Sequence, residues 1–358
     1  MTQTIIFPGK AWSEEVDTVD PLKKIPLYEK GKPYRPIYGK SFLDELKEAW
    51  GEEWGFKSCF GKIKKIMVCR PGDEQKDKLI SQDYQLFSLP EGGLDFDKLQ
   101  QEHGNLVAAL EKEGIEVVFL NSDKPFIGTY GIPLRTAPYT RETMIVRGGA
   151  IIERPAPAFK RGLEIFHARR LMELGCPILY TVHGNGSFEA SNMVWIDDKS
   201  VMLAIGLRSN MEGLRQVEYI LRNLGVEEIH VAHLPGHLYS RKHQVGGSSG
   251  MFHLDMTFGM AYYKIGVLWP GGVGYDTILW LESKGVDLIE VSDDELLTCA
   301  PNLLPIAPKK VIVPAFNLKM TEELRKKGIE VIELDLSEFA KGGGGPTCLS
   351  LPLIRDAV

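Results

Sequence analysis

The stretch "EKEGIEVVFL" at residues 111–120 contains the pattern that decides the fold of this chain. A helical segment ends, a glycine turns the backbone, and a strand rich in β-branched residues begins. The glycine takes the left-handed conformation that other residues resist. The same unit recurs about every 43 to 61 residues, with turns at Gly114, Gly175, Gly225, Gly285 and Gly328. Self-similarity at such a period predicts a repeat architecture.

Strand-like runs fill the intervals between these turns, for example "ETMIVRGGAIIE" at 142–153 and "NMVWIDDKSVMLAIG" at 192–206. Each repeat therefore combines several strands with one helix. The pattern predicts an α/β fold in which five ββαβ units form a closed ring, a five-bladed α/β-propeller around a central pore. An ordinary doubly wound α/β sheet is the alternative, because it also alternates strands and helices. We expect residues 61–358 to form this single domain, with residues 1–60 as an N-terminal extension packed on it.

Composition narrows the class of protein. The net charge of −6 over 358 residues argues against nucleic-acid binding, which requires a basic face. The five cysteines are odd in number and lack CxxC spacing, which argues against a disulfide framework or a zinc ribbon and favours a reducing, cytoplasmic location. We expect no secretory signal and no membrane span, since no run of 18 apolar residues occurs.

The strongest candidate nucleophile is Cys348, which follows four glycines in "KGGGGPTCLS" at 341–350. A reactive thiolate needs a partner that lowers its pKa or takes its proton, and histidine is the usual one. His253 stands out because it follows the glycine–serine loop of "GGSSGMFHLDMTF" at 246–258. We predict that a strand begins at His253, so that His253 and Asp255 point to one face of it.

Two further loops place carboxylates directly before strands of other repeats. Glu189 lies in "GNGSFEASNMVWID" at 184–197, and Arg141 and Glu142 lie in "APYTRETMIV" at 137–146. Taken singly, such residues are more often solvated loop carboxylates or surface ion pairs. A ring of repeats, however, brings equivalent loops to the same end of its pore. We therefore expect these carboxylates, the histidine and the thiol to meet there.

In combination, these motifs resemble the guanidino-group-modifying enzymes of the pentein superfamily: arginine deiminase, dimethylarginine dimethylaminohydrolase, agmatine deiminase and the amidinotransferases. The resemblance covers about residues 63–356 and implies the five-bladed α/β-propeller fold. It also implies a catalytic set of Glu189, His253 and Cys348. Glu142 and Asp255 match the positions of the two carboxylates that hold the guanidinium group.

The resemblance further implies that Arg161 in "FKRGLE" and Arg208 in "GLRSN" hold a substrate carboxylate, with Arg141 and Asn192 as additional substrate contacts. The acidic motif departs from the family pattern, because "EASN" has Asn192 where an acid is usual. The usual "RD" pair is "RE" here, which places arginine itself in doubt as substrate. The implied partner is a small cationic guanidino compound, and neither a cofactor nor a metal is implied. Members of such families often associate, which leaves a homo-oligomer open.

Three functions remain open at this stage. The first is hydrolysis of a guanidino or amidino compound through a covalent amidino-cysteine (thiouronium) intermediate on Cys348. The second is transfer of the amidino group to an acceptor amine. The third is a non-catalytic binding protein on the same fold, because a fold does not fix a function.

Other motifs carry less weight. The glycine run lacks the lysine of a phosphate-binding P-loop, and "GGVGYD" at 271–276 is not a dinucleotide-binding fingerprint. The histidine-rich stretch "HLPGHLYSRKH" invites a zinc site, but Pro235 and Gly236 interrupt it. Its histidines are His233, His237 and His243.

Overall fold

The computed structural model describes residues 29–32, 41–75, 94–121, 125–129, 131, 133–235 and 252–357. Within these ranges, fifteen strands form five separate three-stranded sheets. The first sheet contains β1 (Ile63–Val68), β2 (Glu116–Phe119) and β15 (Leu351–Arg355). The other four contain β3 (Thr143–Val146), β4 (Gly149–Ile152) and β5 (Ile178–Thr181); β6 (Met193–Trp195), β7 (Ser200–Ile205) and β8 (Glu228–His233); β9 (Phe258–Tyr262), β10 (Ile265–Leu268) and β11 (Asp287–Glu290); and β12 (Leu304–Ala307), β13 (Lys310–Pro314) and β14 (Glu330–Leu334).

All five sheets share one topology. The middle strand pairs antiparallel with one neighbour and parallel with the other. A helix connects each parallel pair, as a parallel crossover requires. These five helices are α2 (Phe96–Lys112), α3 (Leu163–Leu174), α4 (Met211–Asn223), α5 (Tyr275–Ser283) and α7 (Leu318–Lys326). Three further helices lie between sheets or before β1: α1 (Phe42–Trp50), α6 (Asp293–Leu297) and α8 (Ser337–Lys341).

The hydrophobic core shows that the sheets form a closed ring. It is divided into five clusters, and each lies between two neighbouring sheets. Side chains alternate along a strand, so Ile145 of β3 faces the first sheet while Met144 faces the third. The last strand, β15, pairs with β1 and joins the two ends of the chain in one sheet. The predicted five-bladed α/β-propeller is confirmed, and a single doubly wound sheet is excluded.

The glycine turns that predicted the repeats adopt the expected conformation. All five have positive φ, between 72° and 92°, and each lies between a crossover helix and the strand that follows it. A side chain would be strained there, which explains why the signal was readable in the sequence. Among the described helices, none combines the length and the hydropathy that a membrane crossing would need.

Part of the predicted N-terminal extension can be placed. Trp54 is 1% exposed and packs in the core between the first two sheets, and the Gly55 N–H donates to the Leu353 carbonyl at 2.9 Å. Residues 1–28 and 33–40 lie outside the described ranges. The division into an extension of residues 1–60 and a domain of residues 61–358 stays a prediction.

Closure of the ring through β15 predicts a large cost for truncating its core side chain. Leu353 is fully buried between the first two sheets, so Leu353→Ala should lower the free energy of unfolding by about 2–5 kcal/mol. Leu318→Ala is the matched control, because Leu318 is 73% exposed and should change stability by less than about 0.5 kcal/mol. Urea unfolding followed by circular dichroism measures both, and equal effects would contradict ring closure through β15.

Candidate active site

Five loops supply the site, and each one precedes the antiparallel edge strand of a different sheet. They lead into β3, β6, β9, β12 and β15. Along the chain they bring Glu142, Glu189, His253 with Asp255, Asn302, and Cys348. Arg141, Glu142, His253 and Cys348 line one cavity, and Glu189 lies directly behind its wall. The structure therefore brings together the loops that the sequence predicted to meet.

The local structure around His253 differs from the prediction. Residues Leu254–Met256 form a short 3-10 turn, and β9 begins only at Phe258, so the expected strand at His253 is wrong. The Leu254 N–H donates to Asn192 Oδ1 at 3.0 Å, which fixes this turn against the one at Ala190–Asn192. The turn separates the two side chains: His253 reaches Glu189, whereas Asp255 reaches Cys348.

His253 is held by a buried carboxylate. Its Nε2 lies 2.7 Å from Glu189 Oε2, and Glu189 is 1% exposed. The same carboxylate accepts from the Ala156 N–H at 3.1 Å, from Lys160 Nζ at 3.1 Å and from Arg208 Nη1 at 3.4 Å. This arrangement fixes the imidazole ring and leaves Nδ1 for proton transfer at the cavity.

The Glu189 carboxyl is held in its charged form. Burial by itself raises its pKa, but the Lys160 ammonium, His253 and Arg208 outweigh burial and hold the pKa well below its usual range. A buried carboxylate that stays ionised next to an imidazole stabilises the imidazolium form. Glu189 and His253 thus form a pair that can take up a proton and release it.

Cys348 lies among polar contacts from two other loops. Asn302 Nδ2 lies 3.1 Å from the sulfur, and Asn302 Oδ1 accepts from the Cys348 N–H at 3.1 Å. Asp255 Oδ2 is 3.9 Å from the sulfur, and Met256 Sδ is 4.0 Å from it. Burial, followed by the charge of Asp255, raises the pKa of the thiol well above its ordinary value. Both effects favour the protonated thiol.

The glycine run before Cys348 packs closely against neighbouring side chains. Gly342 and Gly343 line the cavity. A Cβ on Gly344 would lie 2.4 Å from Tyr139 Cε1, and one on Gly345 would lie 2.9 Å from Asn302 Oδ1. The run is glycine-rich because the loop has no room for side chains where it passes Tyr139 and Asn302.

A lysine that the sequence interpretation missed lies in the cavity wall. Lys160 Nζ is 2.7 Å from Glu142 Oε2 as well as 3.1 Å from Glu189 Oε2. Burial alone raises the pKa of Glu142, but the Lys160 ammonium more than offsets it and lowers that pKa. Behind them, Glu153 is buried and accepts from the Ala190 N–H at 2.7 Å. Burial and the charge of Glu142 raise the pKa of Glu153 well above its usual value, which favours its neutral form.

The four remaining predicted contacts occupy different places. Arg208 lines the cavity, and its guanidinium carbon is 5.0 Å from the centroid of the Phe252 ring. Arg141 lines this cavity and also a second one at the centre of the ring. Asn192 lies behind the wall, where its amide contacts Ser209 Oγ and the Leu254 N–H. Arg161 is half-buried and does not line the cavity.

The sequence contained partial signals for the residues that were missed. Lys160 is adjacent to Arg161, and the 3-10 turn Ala158–Lys160 decides which of the two cations reaches the cavity. Asn302 lies in the loop before β12, the one repeat for which no site residue was proposed. The signal that could have identified Asn302 was its position, because its loop is equivalent to the loops that carry the proposed site residues in the other four repeats.

The structure does not describe two histidines of the zinc motif, His237 and His243, which fall in the gap at 236–251. Among the described residues, no three histidine, cysteine, aspartate or glutamate side chains are grouped as a metal site would need.

Comparison of the sequence and the fold with known proteins identifies several that are similar to this chain. A family model described as arginine deiminase matches residues 274–355. The chain is 26% identical to the uncharacterized protein YkgA of Bacillus subtilis over 302 residues, which cover 83% of this chain and 93% of YkgA. It is 27% identical to the 2-nitroimidazole nitrohydrolase of a Mycobacterium species over 279 residues, which cover 76% of this chain and 72% of that protein.

Two solved structures have the same fold. The N-terminal domain of ArgZ, a cyanobacterial arginine dihydrolase, superposes with a TM-score of 0.66 at 18% identity, covering 82% of this chain and 98% of that domain. Dimethylarginine dimethylaminohydrolase of Pseudomonas aeruginosa superposes with a TM-score of 0.63 at 20% identity, covering 82% and 100% of the two chains. The chain is thus a five-bladed α/β-propeller protein of the kind found in C–N hydrolases. Its fold is the pentein fold of these two structures.

The charge of Asp255 should control the reactivity of the Cys348 thiol. Asp255 raises the pKa of Cys348, so Asp255→Asn should lower that pKa and increase the thiolate fraction at pH 8. Each unit of pKa is worth about tenfold in thiolate while the pH lies below the pKa. Alkylation of Cys348 by iodoacetamide, read by peptide mass, measures the rate. Asp294→Asn, at an exposed position, should leave the rate unchanged, and an unchanged rate in Asp255→Asn would refute the assignment.

Close packing of the glycine loop predicts that adding a single methyl group to it lowers the stability of the protein. Gly344→Ala should destabilise the protein by about 1–3 kcal/mol, because the new Cβ meets the half-buried Tyr139 ring. Gly104→Ala in α2 is the control: nothing lies within 4 Å of its Cβ, and removing a helical glycine should stabilise by about 0.5–1 kcal/mol. Thermal unfolding distinguishes them. A neutral Gly344→Ala would mean that the loop is loose.

Proposed function

We propose that this protein is a cysteine-dependent hydrolase that cleaves a C–N bond at a planar carbon bonded to three nitrogens. The observation that carries the proposal is the 2.7 Å contact between His253 and the buried Glu189, on the wall of the cavity that Cys348 lines. A nucleophile, a proton carrier and a carboxylate that orients the carrier are the parts that covalent catalysis needs. A binding protein would need no such set.

The relatives support this choice of carbon. The names arginine deiminase, dimethylarginine dimethylaminohydrolase and 2-nitroimidazole nitrohydrolase each refer to hydrolytic removal of a nitrogen group. The guanidine carbon and C2 of 2-nitroimidazole are both planar and carry three nitrogens. The substrate of this chain is proposed to share that carbon, and the small cationic guanidino compound expected from the sequence is one member of the class.

The first half of the reaction forms a bond to sulfur. The Cys348 thiol gives its proton to His253, and its sulfur attacks the planar carbon, giving a tetrahedral adduct. The bond to the leaving nitrogen breaks, and its electron pair leaves with that nitrogen, which in the case of an amine takes a proton from His253. An amidino-cysteine (thiouronium) remains on Cys348. Asp255, next to the sulfur, is positioned to accept a hydrogen bond from an N–H group of the substrate.

The second half returns the enzyme to its starting state. His253 takes a proton from water, the oxygen attacks the same carbon, and the C–S bond breaks with the electron pair returning to sulfur, which takes the proton back from His253. The product carries oxygen where the substrate carried nitrogen. Glu189 holds the ring and stabilises its charged form in both halves. Proton transfer by a positioned group of this kind is typically worth about 10²–10⁴-fold in rate.

The test is turnover and adduct formation by the full chain and by Cys348→Ala. The compounds are arginine, agmatine, methylated arginines, guanidinoacetate, guanidinobutyrate, guanidine and 2-nitroimidazole. We expect release of ammonia, amine or nitrite from at least one compound, and a loss of at least about 10³-fold in Cys348→Ala, because the covalent route is removed. Cys176→Ala is the matched control, since Cys176 is buried in the core between the first two sheets.

The outcomes separate the alternatives. An adduct on Cys348 that turns over only after an amine is added would identify an amidinotransferase instead. Turnover that survives in Cys348→Ala would reject the covalent route. Binding of a compound without adduct or product would favour a non-catalytic binding protein.

A further inference from the structure

The wall of the cavity carries more positive than negative side chains. Arg141, Lys160 and Arg208 line it, whereas Glu142 is the only carboxylate among its described lining residues. Lys160 is 3% exposed, so its ammonium is shielded from water and keeps its charge through its carboxylate neighbours. A cation entering this cavity meets three cations before it meets an unpaired carboxylate.

The carboxylate that would grip a guanidinium group is already paired. Glu142 Oε2 lies 2.7 Å from Lys160 Nζ, and the two form a buried ion pair without the geometry of a hydrogen bond. The second acid of this group, Glu153, is buried behind the wall and does not line the cavity, so it does not contact an entering cation. The Lys160 ammonium thus occupies the position next to Glu142 that the positive group of a substrate would need.

Glu189 cannot replace Glu142 as the acceptor. Its Oε2 receives both Lys160 and His253, and its Oε1 receives Arg208 and a backbone N–H. Asp255, whose Oδ2 lies 3.9 Å from the sulfur, has an oxygen, Oδ1, with no hydrogen-bond partner, whereas Glu142 Oε2, which also accepts no hydrogen bond, is ion-paired with Lys160. The Asp255 carboxylate can accept hydrogen bonds from the N–H groups of a planar substrate of any charge. Its single negative charge does not offset the three positive side chains that a cation meets in the cavity wall.

We propose that Lys160 is a specificity-determining residue which selects substrates whose reacting group is uncharged, such as a nitroazole, over those that present a guanidinium ion. This inference rests on the proposed function, because it assigns the substrate class of the same cavity. The kinship with a 2-nitroimidazole nitrohydrolase agrees with it, since that compound carries the three-nitrogen carbon without a positive charge.

The test uses two alkylating probes of equal size and different charge, 2-chloroacetamidine and 2-chloroacetamide. Both place a planar N–C group in the cavity while Cys348 displaces chloride from the adjacent carbon. The first is a cation at pH 7.5 and the second is neutral. The measured quantity is the amidine-to-amide ratio of alkylation rates at Cys348, read by peptide mass and divided by the same ratio for glutathione.

For the unmodified protein we expect this normalised ratio to be below one. Lys160→Met should raise it at least about tenfold, because Glu142 becomes available to the cation. Lys160→Arg should keep it low. The double variant Lys160→Met with Glu142→Gln removes the charge pair together and should not show the rise. Lys319→Met, at an exposed position of α7, is the control for loss of a lysine.

A normalised ratio above one in the unmodified protein would overturn the proposal, even if Lys160→Met does not fold. An equal rise in Lys160→Met and in the double variant would overturn it as well, since the gain would then not depend on Glu142. The labelling ratio requires no turnover, so it is independent of the test of the proposed function. Turnover that survives Cys348→Ala would reject that function and leave the ratio interpretable.

Discussion

Pairing of β15 with β1 is the constraint on which both the fold and the site depend. It joins the two ends of the chain in one sheet, and only then can five cores each lie between two neighbouring sheets. Cys348 lies three residues before β15, so the same pairing carries the sulfur to the loops of the other repeats. Long-range pairing of this kind costs loop-closure entropy. That cost is offset only by the burial of apolar side chains that follows the pairing.

The structure could be predicted from the sequence where the backbone conformation requires a particular residue type. The turns at Gly114 and Gly328 were readable because their positive φ excludes most other residues, and the spacing of such turns gave the number of repeats. The meeting of the loops that carry Glu142, Glu189 and Cys348 could be predicted because each loop enters an edge strand, and equivalent loops of a ring must meet. These inferences needed no side-chain geometry.

Sequence reasoning failed where a short turn decides the direction of a side chain. The 3-10 turn Ala158–Lys160 places the side chain of Lys160 in the cavity wall, whereas the next residue, Arg161, does not line the cavity. The turn after His253 likewise sends His253 and Asp255 to different partners, although strand alternation would have put them side by side. Asn302 was missed because an asparagine in a loop carries no motif. Its role depends on a contact between residues 46 positions apart.

The electrostatics of the site follow from burying several charges together. Removing Glu189 and Lys160 from water is costly, and a buried pair stabilises a protein only when every partner is satisfied. In the network of Glu142, Glu189, Lys160 and Arg208 each acid is ion-paired with a cation. Cys348 lies beyond this network, where burial and Asp255 raise the pKa of the thiol. These two effects favour the protonated form of the nucleophile, and a thiol reacts far more slowly than a thiolate. Attack by Cys348 consequently requires a group that takes up its proton, and His253 lines the same cavity.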